Sequence, residues 1–415
     1  MGIVRSSRSR GSTRTRFFTE ARLSSQHTST GIRLPRRALL GTAALGGVGL
    51  LGWGATRLAI ADPVDVTAAQ WRQEHAVGEQ YTGVHQVMRD YMEAHQVRAG
   101  SLAIRTRGQL RLSSGYTFAE SDYPTTRPDS LFRLASVSKA FACAAIHRLS
   151  DEGVIDLSAA VFPFLGISTV ALPGQTKDPR VDTITIQQLA DHTGGWDRAA
   201  GFDPIFQGRH IARALELPGR VSKRDVAQYM YGEPLQNAPG AVEVYSNFGY
   251  LLLGLVVEEA TGTDFTEFVT TEILTQLGVE NEVFLGNTLE TDALDGEVGY
   301  DATGTGPSAW DPYSDVPVPA AYGTFLIAEC DSSGGLVATS SAVTALISEY
   351  AVWGLGERTP GYYRTGAMAG TSTRATSLNS GVDWSYTFNT RGVDANLNEL
   401  GTAINTAIAN SDIGD

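Results

Sequence analysis

Several things are scarce in this chain of 415 residues, and each scarcity removes a class of function. Two Cys and seven His are too few for a disulfide scaffold or a Cys-rich metal site. A net charge of −13, from 32 basic and 45 acidic residues, argues against a nucleic-acid binder, which needs a basic face to meet phosphate. No G-x-S-x-G elbow occurs, so an α/β-hydrolase reading loses its main support. No H-E-x-x-H occurs, which removes the common metalloprotease reading, and no G-x-x-x-x-G-K-S/T occurs, so there is no P-loop. Lysine is the rarest cation, with three residues (139, 177 and 223) against 29 Arg. A hydrophobic content of 42% with 19% charged residues still describes a chain able to bury a large core.

The charge is unevenly placed. Residues 1–61 carry ten Arg and the single acid Glu20, which leaves 22 basic and 44 acidic residues in 62–415. Arg36-Arg37 precede the apolar run from Ala38 to Ala55, and Ala59-Ile60-Ala61 follows as an A-x-A cleavage pattern. This layout predicts a twin-arginine-type signal peptide over 1–61 and a secreted or extracytoplasmic mature protein, 62–415. An uncleaved anchor is the competing reading. Six Gly in the run and Arg57 beyond it make that span a weak helix. The acidic remainder is most simply a solubility feature, with no stable membrane association after cleavage.

In the body, Thr82 to His95 has Val84, Val87, Met88 and Tyr91 spaced for one helical face. Ser101–Arg105 and Gln109–Tyr116 read as strands about a turn at Gly108, Ser136–Gly153 as a helix, and the Gly- and Pro-rich stretch 286–320 as loops. Thr371–Arg391 reads as a strand pair and Ala395–Asn410 as a closing helix. Strands near both ends with helices between predict an α/β lobe (about 80–160 and 320–415) around a mainly helical lobe (about 160–320).

One arrangement can carry nucleophilic chemistry. Ser136 and Lys139 stand three apart at a predicted helix start and so share a face. A serine hydroxyl needs a neighbouring base, and a partly buried Lys has a lowered pKa suited to that task. Backbone N–H groups at the helix start favour a developing oxyanion. Further on, Tyr245 and Asn247 stand two apart just before an apolar helix, where a phenol can act as base and an amide can orient a carbonyl. A loop Tyr and a helix-capping Asn are the plainer alternative.

Ser136-Val137-Ser138-Lys139 and Tyr245-Ser246-Asn247, 109 residues apart, resemble the S-x-x-K and Y-x-N motifs of the serine β-lactamase and penicillin-binding superfamily, most closely its class C β-lactamase branch. The segments Ile184–Gly195 and Ser333–Thr339 also resemble that branch, and the likeness spans roughly 80–410. The resemblance implies an antiparallel sheet flanked by helices plus a mainly helical lobe, and a site in the cleft between them. It implies Ser136 as nucleophile, Lys139 and Tyr245 as proton shuttles, and Asn247 as a substrate-orienting amide. The third motif departs from the family's K-T-G or H-x-G: the best match is Arg364-Thr365-Gly366. By the family's pattern these residues line the substrate site, and Ala367 supplies the second oxyanion N–H beside that of Ser136. Arg364 is expected to offer a fork to a substrate carboxylate, with a drifted Lys in an Arg-rich chain as the plainer alternative. No metal or cofactor is implied. His192 corresponds to a structural family His, and Cys143 and Cys330 are not required to pair. The expected partner is a small-molecule or peptide acyl substrate, with cell-wall-derived material among the candidates. Three activities stay open: a hydrolase or acyltransferase on esters, amides or D-amino-acid peptides; a β-lactamase; and an idle penicillin-binding or cell-wall-binding module.

Overall fold

The computed structural model describes residues 69–392 and 394–414. The export segment expected over 1–61 lies outside the described residues. Eleven strands are present among those described. They are β1 (Gln70–Val77), β2 (Ala99–Thr106), β3 (Gln109–Ala119), β4 (Phe132–Arg133), β5 (Val283–Leu285), β6 (Thr305–Gly306), β7 (Val318–Pro319), β8 (Leu336–Ala338), β9 (Tyr362–Met368), β10 (Thr371–Ser377) and β11 (Val382–Phe388). Six of them form one antiparallel sheet in the order β1-β3-β2-β11-β10-β9. The first and last parts of the chain meet in this sheet where β2 pairs with β11.

Local chemistry explains the hairpins. Between β2 and β3, Arg107 (φ 50°) and Gly108 (φ 78°) form a two-residue turn with both residues left-handed, which matches the twist of the flanking strands. Between β9 and β10, Ala369-Gly370 turns the chain, with Gly370 at φ 73°. The hairpin β2–β3, the strand pair β10–β11 and the closing helix (Asp394–Ala409) stand where the sequence places them. β1 is an addition: the polar segment QWRQEHAV gives no hydrophobic alternation, yet it pairs with β3 as an edge strand with a largely exposed face. The 286–320 stretch is mainly loop but holds β6 and β7.

Among the described residues two large side-chain cores result, with a small third cluster of Ala135, Phe325, Ile327 and Met368. One face of the sheet, with Leu102, Ile104, Trp384, Tyr386 and Phe388, packs against Val84, Met88 and Met92 of helix Thr82–His95 and Leu400, Ile404 and Ile408 of the closing helix. The larger core gathers helix Ser138–Asp151, helix Asn247–Thr261 and helix Ser340–Glu349. Helix Ser340–Glu349 touches the sheet's other face, where Ser340 meets Thr387 and Ser348 meets Asp383 by hydrogen bond. Helix Ser138–Asp151 is buried along nearly its whole length, from Ser138 through Ile146. Its first turn therefore sits between the sheet edge and the helical core.

Candidate active site

The nucleophile turn follows β4. Ala135 adopts φ 47°, an arrangement that costs an alanine about 1 kcal/mol and persists only where the surroundings enforce it. They do so here. Leu134 N donates to Leu336 O at 2.8 Å, and Leu134 O accepts from Thr373 Oγ1 at 2.8 Å and from Val137 N at 3.1 Å. Leu336 N in turn donates to Ser138 Oγ at 3.2 Å. The strained residue aims Ser136 out of a short 3₁₀ turn (Ala135–Val137) that continues directly into helix Ser138–Asp151.

Four expected residues converge there. The Tyr245 hydroxyl donates to Ser136 Oγ at 2.5 Å, and Lys139 Nζ donates to the same oxygen at 3.3 Å. Lys139 Nζ also donates to Asn247 Oδ1 at 2.7 Å and to the Ser333 carbonyl. Burial pulls the Lys139 pKa below the ordinary lysine range, and Arg364 adds to that depression against the raising effects of Tyr245 and Asp203. Burial alone would raise the Tyr245 phenol; the Lys139 charge and hydrogen bond, the bond with Ser136 and the charge of Arg364 outweigh it and hold the phenol below its usual range. Two groups that are normally protonated at neutral pH are thus both loosened toward base behaviour around one hydroxyl.

The helix Asn247–Thr261 places two of these side chains. Its cap is Ser246, whose hydroxyl accepts from Gly249 N at 3.0 Å. The alternative of a capping Asn is thereby set aside, and the Asn247 amide is left free for Lys139. Ser246 N donates to His192 Nδ1 at 3.1 Å. The His192 ring stacks on Tyr245 with centroids 4.7 Å apart, and burial, aided by Arg364 and Lys139, lowers its pKa to about 3. His192 is a neutral shelf for Tyr245 rather than a base on Ser136, as its family counterpart suggested.

The third motif forms β9, the open edge of the sheet. Gly366 lies so close to the nucleophile turn that a Cβ on it would sit 2.3 Å from Leu134 O and 3.0 Å from Ser136 N. Met368 and Thr371 close the two-residue turn and face each other as a hydrogen-bonded pair. Alternation then leaves the Ala367 N–H pointing away from β10, toward the open edge. Thr365 shares that parity and is exposed. Arg364 does not offer the expected fork to a substrate carboxylate. It is 1% exposed, its Nε donates to Val352 O at 2.9 Å, and its guanidinium lies over the Trp353 ring at 4.3 Å. Strand alternation turns it inward, against the Trp353 and Tyr250 rings, and its buried charge acts on Tyr245 and His192.

Two residues beyond the sequence reading join the site. Asp203 Oδ2 accepts from Asn247 Nδ2 at 2.6 Å, and Arg198 lies over the Tyr245 ring at 5.0 Å and 3.8 Å from Asp203. They line a small pocket with Trp196, Phe202, Tyr245 and Asn247. No motif spacing connects Asp203 to Asn247. Cys143 and Cys330 are both buried and free; Cys143 Sγ sits 3.3 Å from Tyr250 OH.

A family model described as Beta-lactamase matches residues 84–403. The chain belongs to the β-lactamase family. This is a family of serine hydrolases, and the matched span contains every site residue named above. Among curated proteins, Protein flp of Staphylococcus aureus (strain MW2) is 27% identical over 237 residues, 56% of this chain and 44% of the relative. Penicillin-binding protein 4* of Bacillus subtilis (strain 168) is 25% identical over 211 residues, 49% of this chain and 41% of the relative. The chain thus spans less than half the length of these curated relatives. Among solved structures, D-amino acid amidase from Ochrobactrum anthropi SV3 shares the fold at TM-score 0.57 and 18% identity, over 79% of this chain and 98% of that one. A class C β-lactamase does so at TM-score 0.56 and 15% identity, over 79% and 97%. The β-lactamase-family fold is therefore established along the described body.

Proposed function

We propose that this β-lactamase-family chain is an exported serine hydrolase or acyltransferase that works through an acyl-enzyme on Ser136. Its substrate is an ester, an amide or a D-amino-acid peptide. One observation carries the reading: a single hydroxyl has the Tyr245 phenol at 2.5 Å and the Lys139 amine at 3.3 Å, both loosened from their protons. In this mechanism Ser136 Oγ attacks the acyl carbon while its proton passes to the Lys139–Tyr245 pair. The N–H groups of Ser136 and Ala367 receive the oxyanion, and the Asn247 amide orients the acyl group. The pair returns the proton to the leaving amine or alkoxide. Water, or a second nucleophile, then takes the acyl group from Ser136 by the reverse steps.

The fold neighbours support amide and D-amino-acid chemistry: D-amino acid amidase is one, and a D-stereospecific amidohydrolase from Streptomyces sp. is another, at TM-score 0.52 and 17% identity. The inward Arg364 weighs against a site built to grip a β-lactam carboxylate. Export rests on the Arg36-Arg37 and Ala59-Ile60-Ala61 patterns, and the N-terminal residue of protein recovered outside the cytoplasm tests it, with Asp62 expected.

The test is intact-protein mass spectrometry with a D-aminoacyl amide, a short p-nitrophenyl ester and a penicillin in turn. An adduct on Ser136 that forms and decays is expected with the first two. Ser136→Ala should abolish labelling by a fluorophosphonate while leaving the unfolding midpoint unchanged. Persistent labelling of that variant refutes the assignment. Binding without turnover of any of the three indicates the idle module, and fast penicillin turnover the β-lactamase.

A further inference from the structure

Asn247 is held from both ends. Its Oδ1 accepts from Lys139 Nζ at 2.7 Å, and its Nδ2 donates to Asp203 Oδ2 at 2.6 Å. An ammonium can only donate and an ionised carboxylate can only accept, so this pair of neighbours admits a single orientation of the amide. The carboxylate is an expensive way to achieve mere packing. The Asp203 side chain is 14% exposed, and its buried Oδ1 has no partner of good hydrogen-bond geometry, the Ile205 N–H being the backbone group that faces the carboxylate. Its salt-bridge partner among the described residues, Arg198, stands 3.8 Å away with a side chain that is 51% exposed, a pairing of little strength. A neutral side chain would fill the same space with less desolvation.

We propose that Asp203 is a positioning residue for the Ser136 reaction: through Asn247 it fixes the Lys139 ammonium against Ser136 and supplies that ammonium with a negative counter-charge, without touching substrate. The proposal rests on the acyl-enzyme reading above. The charge order is Asp203, Asn247, Lys139, Ser136, and while Lys139 is an ammonium and Asp203 is ionised each of the two Asn247 bonds has one possible direction. Burial raises the Asp203 pKa, while Asn247, Lys139 and Arg198 oppose that rise. The groups facing Lys139 are the Tyr245 and Tyr250 rings, Arg364, Asp203 and the Ser333 carbonyl. Those facing Asp203 are Asn247, Lys139, Arg198, the Ile205 N–H and the Cys330 thiol.

The experiment follows the burst of p-nitrophenol from an ester, and fluorophosphonate labelling of Ser136, from pH 5 to 10. The full chain is compared with Asp203→Asn and Asp203→Glu. Asp203→Asn keeps the shape and removes the charge, so the Lys139 proton is held less tightly. The acid limb of the acylation profile should move to lower pH by about one unit. Loss of the fixed amide should slow acylation about 10- to 100-fold, with KM unchanged. Asp203→Glu restores the carboxylate and should recover the wild-type position of the limb and part of the rate. Three results overturn the proposal. One is a wild-type rate and limb in Asp203→Asn. Another is an equal loss in both variants with a lowered unfolding midpoint and no limb shift, which marks a structural role. The third is a KM increase confined to substrates bearing an amino group, which marks direct substrate contact. Failure of wild-type Ser136 to label would instead sink the acyl-enzyme reading, and this inference with it.

Discussion

Gly366→Ala is the sharpest probe of how packing makes this site. The added methyl would stand 2.3 Å from Leu134 O, 2.3 Å from Thr373 Oγ1 and 3.0 Å from Ser136 N. None of these can yield easily. Leu134 O is held by two hydrogen bonds, and the Thr373 hydroxyl is one of the two donors. Moving from 2.3 Å to ordinary contact at 3.4 Å requires β9 to withdraw by about 1 Å. Overpacking of this kind costs about 1–3 kcal/mol, and rupture of the Thr373–Leu134 bond about 1 kcal/mol more. The unfolding midpoint should fall by roughly 3–5 °C for a body of this size. The functional loss should be larger than the loss of stability, because the strand that retreats also carries the Ala367 N–H. A 1 Å misplacement of a reacting geometry can cost about 100-fold in rate. Calorimetry and the rate of Ser136 acylation, measured at a temperature where both proteins are folded, separate the two effects. Gly219→Ala, where an added Cβ meets nothing within 4 Å, is the control and should be silent in both assays. Wild-type acylation in folded Gly366→Ala would refute the claim that β9 and the nucleophile turn are fitted to each other.

Other outcomes follow from the same contacts. Tyr245→Phe removes the 2.5 Å partner of Ser136 Oγ and should slow acylation about 100-fold or more at pH 7, with little change in midpoint, read by single-turnover ester kinetics. His192 is held at a pKa of about 3 against an ordinary 6.5, so the unfolded chain binds the extra proton between those values. Folding stability should therefore rise with pH through that window, by at most about 1.4 kcal/mol per pH unit from this residue. Urea unfolding at pH 4 and 6.5 should show that slope reduced by one proton in His192→Gln. His85, also lowered by burial, contributes to both proteins and cancels in the difference.

How far the sequence could be read depended on the kind of signal each residue leaves. Ser136, Lys139, Tyr245 and Asn247 sit in short motifs at helix starts, where spacing along the chain translates into a shared face. Sheet strands with strong alternation and a marked turn, such as β2–β3 and β10–β11, were equally plain. β1 was not, because an edge strand exposed on one side has no need of apolar alternation. Arg364 was visible as a residue and misjudged as a direction. Alternation says only that Arg364 and Thr365 face opposite ways; which one faces the cleft depends on where β9 lies against the Ser136 turn. Asp203 stands 44 residues from Asn247, and the Ser333 carbonyl is a backbone group 194 residues from Lys139. Contacts made by tertiary closure alone leave no local pattern.

The inward Arg364 changes how the proton inventory of the site is understood. Lys139 and Arg364 are both buried, and among the described residues the carboxylate that acts on Lys139, Asp203, reaches it through Asn247. Among the buried groups alone, with the half-exposed Arg198 left to solvent, protonated Lys139 and Tyr245 leave the cluster with two positive charges against the one negative charge of ionised Asp203. Loss of one proton from the Lys139–Tyr245 pair brings it to neutrality, whichever member gives it up, and a neutral cluster is the state that burial favours. A pair that is one proton short is what general-base catalysis on Ser136 needs, so the titration belongs to the pair and not to either residue. Arg364→Met removes one positive charge at similar length. The pair should then hold its second proton more tightly, and the acid limb of the acylation profile should move upward by about one unit, the reverse of the shift expected for Asp203→Asn. Activity lost at pH 7 should return at pH 9 in Arg364→Met. A variant equally slow at both values, with its limb unmoved, would show that Arg364 serves only to pack Trp353 and hold the Val352 carbonyl.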